Sequence, residues 1–487
     1  MAADAERPAP RAPLWLVGAA FGGGAAALLG GYWDDAWHTE RGRDSLFILP
    51  HVFIYSGVAL IGSALTVWVA DTARRVGARS AFARPGVRLA AISVAVTLAS
   101  GAIDDVWHRA FGRDAVIWSP PHMLGIVGTM VLGAALLGET ARRGRAWSAC
   151  AGALVLAAAN FVVVEYDTDV PQFGSVWYLP VLAVASSIAF ALVRLTTARA
   201  WAAGEAAATQ LVFVLVAGAF LLSQGFDPPA LPLLVAPALA LDLAARRGWR
   251  APGQAGVFVA ALFAVYVPVR NWLGAGVELD AADVLVGLPL AYLATLPFLL
   301  LASGGNVARV TPAAAAAAVV AALLVLAPAA AVAHDPGQGE DAGTARLVVA
   351  ASDRRLALSG ALNRETCGEL RSGALVARRA GVEWRAPLRL DDCAFRGAVS
   401  VDARGRWFVY AELQEDGRTI ESWLPIEAGA GTRRVADPER FAYFPPERSA
   451  AIGELVGGAA LYGAMVALLG WALLLLRRAG VPAATRL

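Results

Sequence analysis

The chain contains no lysine, so arginine carries all of its fixed positive side-chain charge. Charged residues of any kind are scarce, at 16% of 487, where a soluble domain carries about 25%. Histidine occurs five times, too seldom for the histidine-rich sites of membrane desaturases. No P-loop, dinucleotide fingerprint or Ser-His-Asp arrangement is present. The net charge of +2 comes from arginines beside apolar runs and gives no argument for nucleic acid.

What fills the chain is apolar: 58% of residues are hydrophobic and the mean hydropathy is +0.57. Runs of about 20 apolar residues can cross a bilayer as helices. They fall near 13–33, 50–71, 87–108, 121–141, 146–164, 176–198, 207–223, 231–245, 255–270, 283–302, 312–333 and 452–476. Arg74, Arg75, Arg79, Arg84 and Arg88 fill the second connection, and Arg142, Arg143 and Arg145 the fourth. Arg194 and Arg199 fill the sixth, Arg246, Arg247 and Arg250 the eighth, and the tail has Arg477, Arg478 and Arg486. The positive-inside rule then places both termini in the cytoplasm. No small-residue cleavage site follows the first run, which reads as an anchored span.

Between 334 and about 450 the hydropathy falls, and short strands such as "RWFVYAELQ" and "RTIESWLPI" appear, joined by Asp416-Gly417 as a hairpin turn. The expected fold is a polytopic α-helical membrane protein of about twelve spans, with a small extracytoplasmic β-sandwich near the C-terminus. Residues 1–200 form a six-span metal-binding region, 201–333 further transmembrane helices, 334–450 the β-sandwich, and 451–487 a last span and cytoplasmic tail. An oxidising compartment favours a disulfide between Cys367 and Cys393. Cys150 reads as a core residue of its span.

One phrase is written twice. "DDAWHTERGRDSLFILPH" spans 34–51 and "DDVWHRAFGRDAVIWSPPH" spans 104–122. Asp34 and His38 are four apart, as are Asp104 and His108, which puts each pair on one helix face. His51 and His122 follow a short loop at the start of the next run. Each copy therefore brings Asp, His and His together from two neighbouring helices. Such a set suits copper, zinc or iron and leaves a coordination position open. Charge near the membrane core is costly unless paired or coordinated, which argues against accident. Trp37 and Trp107 read as interface anchors. Arg43–Asp44 and Arg113–Asp114 read as loop ion pairs. Asp35 and Asp105 read equally as carboxylates supporting the ligands or as solvated neighbours.

The pattern D-x2-W-H-x4-R-D-x2-F-x3-H, carried by Asp34, Trp37, His38, Arg43, Asp44, Phe47 and His51, resembles the metal-site motif of the C subunit of particulate methane and ammonia monooxygenases. The resemblance extends over roughly residues 13–200. It implies that Asp34, His38 and His51 bind a transition metal, in that family usually assigned as copper. It implies a second site at Asp104, His108 and His122, with Asp104 where the family has Asn. Additional subunits are implied too, with a homo-oligomer as the other arrangement. The family's separate cupredoxin subunit uses several histidines, whereas the polar segment here has only His334.

Two function classes stay open. One is a copper-dependent membrane oxidoreductase acting with O2 on a small substrate. The other is a copper-binding or copper-handling membrane protein without catalysis. Haem fits less well, since these histidines lie at loop edges beside carboxylates. His334, preceded by Ala331-Val332-Ala333, reads as a helix-to-domain junction or as a terminal copper ligand freed by cleavage. The acidic stretch Glu165, Asp167, Asp169 reads as a solvated loop on the motif side. Asp242 reads as an i,i+4 ion pair with Arg246.

Overall fold

The computed structural model describes residues 11–42, 47–111, 117–141, 143–197, 199–273, 276–303, 339–365, 367–429, 431, 433–435, 439–445 and 451–479, without the side chains of 105, 108, 109, 273, 435 and 451. Its helices are α1 (Leu14–Glu40), α2 (Leu49–Val76), α3 (Ala78–Phe82), α4 (Pro85–Phe111), α5 (Pro120–Thr140), α6 (Arg145–Asn160), α7 (Val164–Asp167), α8 (Tyr178–Thr197), α9 (Ala202–Ser223), α10 (Val235–Arg246), α11 (Ala251–Leu273) and α12 (Ala281–Ala302), with α13 (Ala451–Ala479) after the strands. Ten helical stretches among the described residues are long and apolar enough to cross a bilayer, which makes the chain a multi-pass membrane protein. The stretches 120–140, 145–167 and 175–197 are the most enclosed and form the centre of the bundle. Around them, α9 and α12 turn Val216 and Leu285 outward, as lipid-facing helices do.

The expected span at 231–245 is corrected. Pro228, Pro229 and Pro232 lack the N–H that a helix interior needs, so α10 starts only at Val235. Its 12 residues reach about 18 Å, short of a bilayer core. The expected span at 312–333 lies outside the described residues. Cys150 is exposed on the outer surface of α6, not in the core.

The C-terminal domain is antiparallel: β1 (Glu340–Ser352), β2 (Arg355–Leu362), β3 (Leu370–Arg379), β4 (Val382–Pro387), β5 (Arg389–Asp391), β6 (Ala394–Ser400), β7 (Gly405–Glu415), β8 (Arg418–Ala428), β9 (Arg433–Val435) and β10 (Arg440–Phe444). They run in the order β4-β3-β7-β8-β10-β1-β2-β6-β5, with β9 beside β1. The sheet is therefore a single curled one and not the two-layer sandwich of the sequence reading. Its end strands β4 and β5 are consecutive, separated only by Leu388, so one stretch of chain pairs with β3 and then with β6, giving a barrel-like form around Leu347, Leu356, Leu375, Trp407, Val409 and Leu424. Asp416 (φ 48°) and Gly417 (φ 79°) make the tight turn between β7 and β8, as Asp-Gly does in hairpins. Cys367 and Cys393 form the expected disulfide.

The barrel is tied to the end of the bundle that carries the repeated motif. Arg379 Nη2 meets Asp169 Oδ1 at 2.6 Å, and Arg406 N–H donates to Asp169 Oδ2 at 2.8 Å. Arg440 Nη1 donates to Arg41 C=O, the residue closing α1, at 2.8 Å.

Candidate metal centre

Helices α1 and α2 approach closely because glycine lines their crossing. A Cβ on Gly57 would sit 2.5 Å from Gly23 C=O, and one on Gly30 would sit 2.7 Å from Ile54 N. Small residues allow such contact in membrane bundles. Pro50 occupies the first turn of α2, where its missing N–H costs nothing, and His51 follows it. The close crossing therefore brings the last two turns of α1 against the first turn of α2.

His51 Nε2 lies 3.0 Å from Asp34 Oδ1, and His38 Nε2 lies 3.5 Å from the same oxygen. The donor atoms of Asp34, His38 and His51 all lie within 4.8 Å of one another, the one such set found among the described residues. A tetrahedral ion about 2.0–2.2 Å from each ligand sets its donors about 3.3–3.6 Å apart. The separations here are close to that, so the residues fit a transition metal. All three side chains are half-buried, leaving an approach to the site. Trp33 packs against Phe53 and Phe220 at 5.7 and 5.1 Å between ring centres, joining α1, α2 and α9 nearby.

The second copy repeats the construction. Thr97 and Ser100 of α4 face Gly128 and Gly125 of α5; a Cβ at Gly128 would sit 2.6 Å from Thr97 Oγ1. Pro120 and Pro121 begin α5. His122 Nε2 lies 3.2 Å from Asp104 Oδ1. His108 sits on α4, but its side chain lies outside the described residues, so two of the three expected residues, Asp104 and His122, are shown together. The side chain of Asp105, and residues Arg43, Asp44, Arg113, Asp114 and His334, also lie outside them.

No family model, no curated protein and no solved structure matches this chain.

Several expectations for the surroundings are corrected. Trp107 is buried, 5% exposed, its ring 4.6 Å from Phe111; Gly457 of α13 lies against it, so it is core and not an interface anchor. Trp37 is half-buried between Phe226 and the Arg41 guanidinium, which lies 4.9 Å from its ring centre.

Glu165, Asp167 and Asp169 do not form a solvated loop. Glu165 is 4% exposed, accepts the Ile117 N–H at 3.1 Å and is held by Gln172. Asp167 pairs with Arg270 at 2.8 Å and accepts from the Tyr178 hydroxyl at 2.5 Å. Sequence reasoning missed Glu165 and Trp118 as supports of the second copy. Trp118 Nε1 donates to Val162 C=O at 2.9 Å, so the 161–168 segment fixes the turn before His122. Asp242 is buried and accepts the Gly204 N–H at 2.9 Å, satisfying the first turn of α9. Arg246 instead lies over Trp201, 4.8 Å from the ring centre.

Proposed function

We propose that this chain is a copper-binding integral membrane protein related to the C subunit of copper membrane monooxygenases. Asp34, His38 and His51 are the ligands of one ion, and Asp104, His108 and His122 of a second. The observation that supports this most is the convergence of Asp34, His38 and His51 from two helices, with donor atoms within 4.8 Å. Zinc and iron accept the same ligands; the motif resemblance favours copper.

Copper held there would supply one-electron redox chemistry toward O2 and a small substrate. The chain's own part is to place two neutral imidazoles and one anionic carboxylate on a rigid helix pair. Asp34 offsets cationic charge, and the close α1–α2 crossing limits movement of His38 relative to His51.

A second reading is copper handling without catalysis. It is favoured by the histidine content: His334 is the only histidine after His122, so the barrel has no multi-histidine copper centre to deliver electrons. In both readings the termini are cytoplasmic and the barrel is outside. The clustering of Arg74, Arg75, Arg79, Arg84 and Arg88 at the end of the bundle away from the motif supports this orientation.

The deciding experiment is metal analysis of protein purified in native lipid, followed by oxygen uptake with a reductant. Replacing His38 and His51 together should lower bound copper by about one equivalent. Unchanged metal content removes the ligand assignment. Full copper loading with no oxygen uptake leaves the handling reading.

A further inference from the structure

The stretch from the end of α2 to the start of α4 carries five arginines, Arg74, Arg75, Arg79, Arg84 and Arg88, against one carboxylate, Asp71. Asp71 is taken by Arg75 at 2.8 Å. Arg74, Arg79, Arg84 and Arg88 have no ion pair and no side-chain hydrogen bond among the described residues.

Other arginines at this end of the bundle are answered within the chain. Arg143 pairs with Glu139 at 2.7 Å, and Arg145 and Arg199 pair with Glu205 at 2.7 and 2.9 Å. Arg194 donates to Gln254 at 2.7 Å. The four around α3 are therefore positive charge that the described protein does not neutralise. Arg84 and Arg88 are half-buried and four apart, a spacing at which like charges on a helix repel. Charge at the margin of a bilayer core is costly without a partner.

Their setting is the edge of a bilayer. Gly77, at φ 82°, ends α2, and the short α3 buries Ala81 while leaving Phe82 45% exposed. At 100° per residue, Arg84, Arg88, Ile92, Ala95 and Ala99 share one side of α4. Ile92, Ala95 and Ala99 are exposed, so this side is an apolar, lipid-facing stripe with two guanidiniums at its end. From Arg88 to Ala99 the stripe rises about 16 Å, close to the half of a bilayer core that one leaflet fills.

We propose that this stretch binds an anionic phospholipid, with its phosphate at Arg84 and Arg88, Arg74 and Arg79 beside them, and an acyl chain along Ile92, Ala95 and Ala99. Guanidinium matches phosphate oxygens with two parallel hydrogen bonds. Basic clusters at the end of a membrane span attract anionic lipid. A soluble phosphate ester would meet the arginines but gain nothing from the stripe, whereas the lipid fits both.

The test uses full-length protein in nanodiscs of phosphatidylcholine with a rising share of phosphatidylglycerol, the lipid retained on release being counted by native mass spectrometry. Wild type should retain phosphatidylglycerol saturably. Arg84→Gln with Arg88→Gln should weaken retention roughly 25-fold, at about fivefold per arginine. Arg74→Gln with Arg79→Gln changes only exposed side chains, leaves the fold alone, and should weaken retention in the same direction. Arg247→Gln with Arg250→Gln removes equal charge from exposed positions at the same end and should leave retention unchanged. No saturable retention, or equal loss in the Arg84, Arg88 pair and the Arg247, Arg250 pair, overturns the proposal. Glycerophosphate competing as well as the whole lipid overturns the lipid in favour of a soluble phosphate ester. Asp34, His38 and His51 lie at the opposite end of the bundle, so copper content should be the same in every arm, which separates this inference from the metal-centre proposal.

Discussion

Asp169 and Arg379 meet at 2.6 Å across 210 residues of sequence. Asp169 sits at φ 58°, a left-handed conformation that Asp tolerates better than most residues. That conformation aims its carboxylate at the barrel, where the second oxygen takes the Arg406 N–H. One side chain therefore anchors the barrel to the bundle at two points. Asp169→Ala should cost about 1.5–3 kcal/mol, the range for hydrogen bonds to charged groups. It should also open the barrel to limited proteolysis while the helices stay folded. Unchanged thermal unfolding and proteolysis would sink this role.

Sidedness can be read with single cysteines. Gln224 is exposed at the barrel end of the bundle, and Ala78 is exposed among the arginines at the other end. A membrane-impermeant maleimide should label Gln224→Cys in intact cells and Ala78→Cys only after permeabilisation. Labelling in the reverse order would invert the proposed orientation. Thr39, although beside the motif, is buried and unsuitable for such a label.

The disulfide closes a loop of 26 residues between Cys367 and Cys393. Chain entropy makes such a link worth about 3.5 kcal/mol. Reducing agent should lower the unfolding midpoint of the barrel, and the Cys367→Ser, Cys393→Ser double variant should reproduce the loss without reductant. A variant as stable as wild type would show that the link adds nothing to the fold.

Glu439 should make the barrel acid-sensitive. The Thr344 hydroxyl, then Arg346 and Asn363, hold its carboxyl below the usual glutamate value. Its folded-state value is depressed, so its contribution is complete above the unfolded value of about 4.3. That contribution is lost as pH falls through the folded value. Glu439→Gln should therefore flatten the decline in unfolding midpoint below about pH 4.5. An identical acid profile in the variant would exclude Glu439 as a contributor.

The parts of this molecule legible in sequence are those set by local spacing. Asp34 and His38 share a helix face because four residues make about one turn, and Asp416-Gly417 turns a hairpin because both residues accept positive φ. What escaped was set by partners far along the chain. Glu165, Asp167 and Asp169 look like a solvated loop until Arg270 and Arg379, more than 100 residues on, are placed against two of them. Asp242 sits four residues before Arg246, yet its partner is a backbone N–H on another helix. Short strand-like segments marked β7 and β8 in the sequence, but how the sheet closes depends on residues 382–391 pairing with both β3 and β6, which local pattern does not encode.

The second copy departs from the resembled family at Asp104, and this carries the last prediction. Asp104 Oδ1 lies 3.2 Å from His122 Nε2, placed to share an ion with that imidazole. An anionic ligand neutralises more of a cation's charge than a neutral amide and favours the more oxidised, harder state. Asp104→Asn should therefore weaken divalent metal binding at the second set or raise its reduction potential if the metal is copper. The first set, Asp34, His38 and His51, should stay filled. Metal and redox titrations of wild type and variant, with occupancy followed by electron paramagnetic resonance, separate the two sites. If neither affinity nor potential moves, Asp104 touches no metal. Its contact with His122 would then serve only to hold α4 against the first turn of α5.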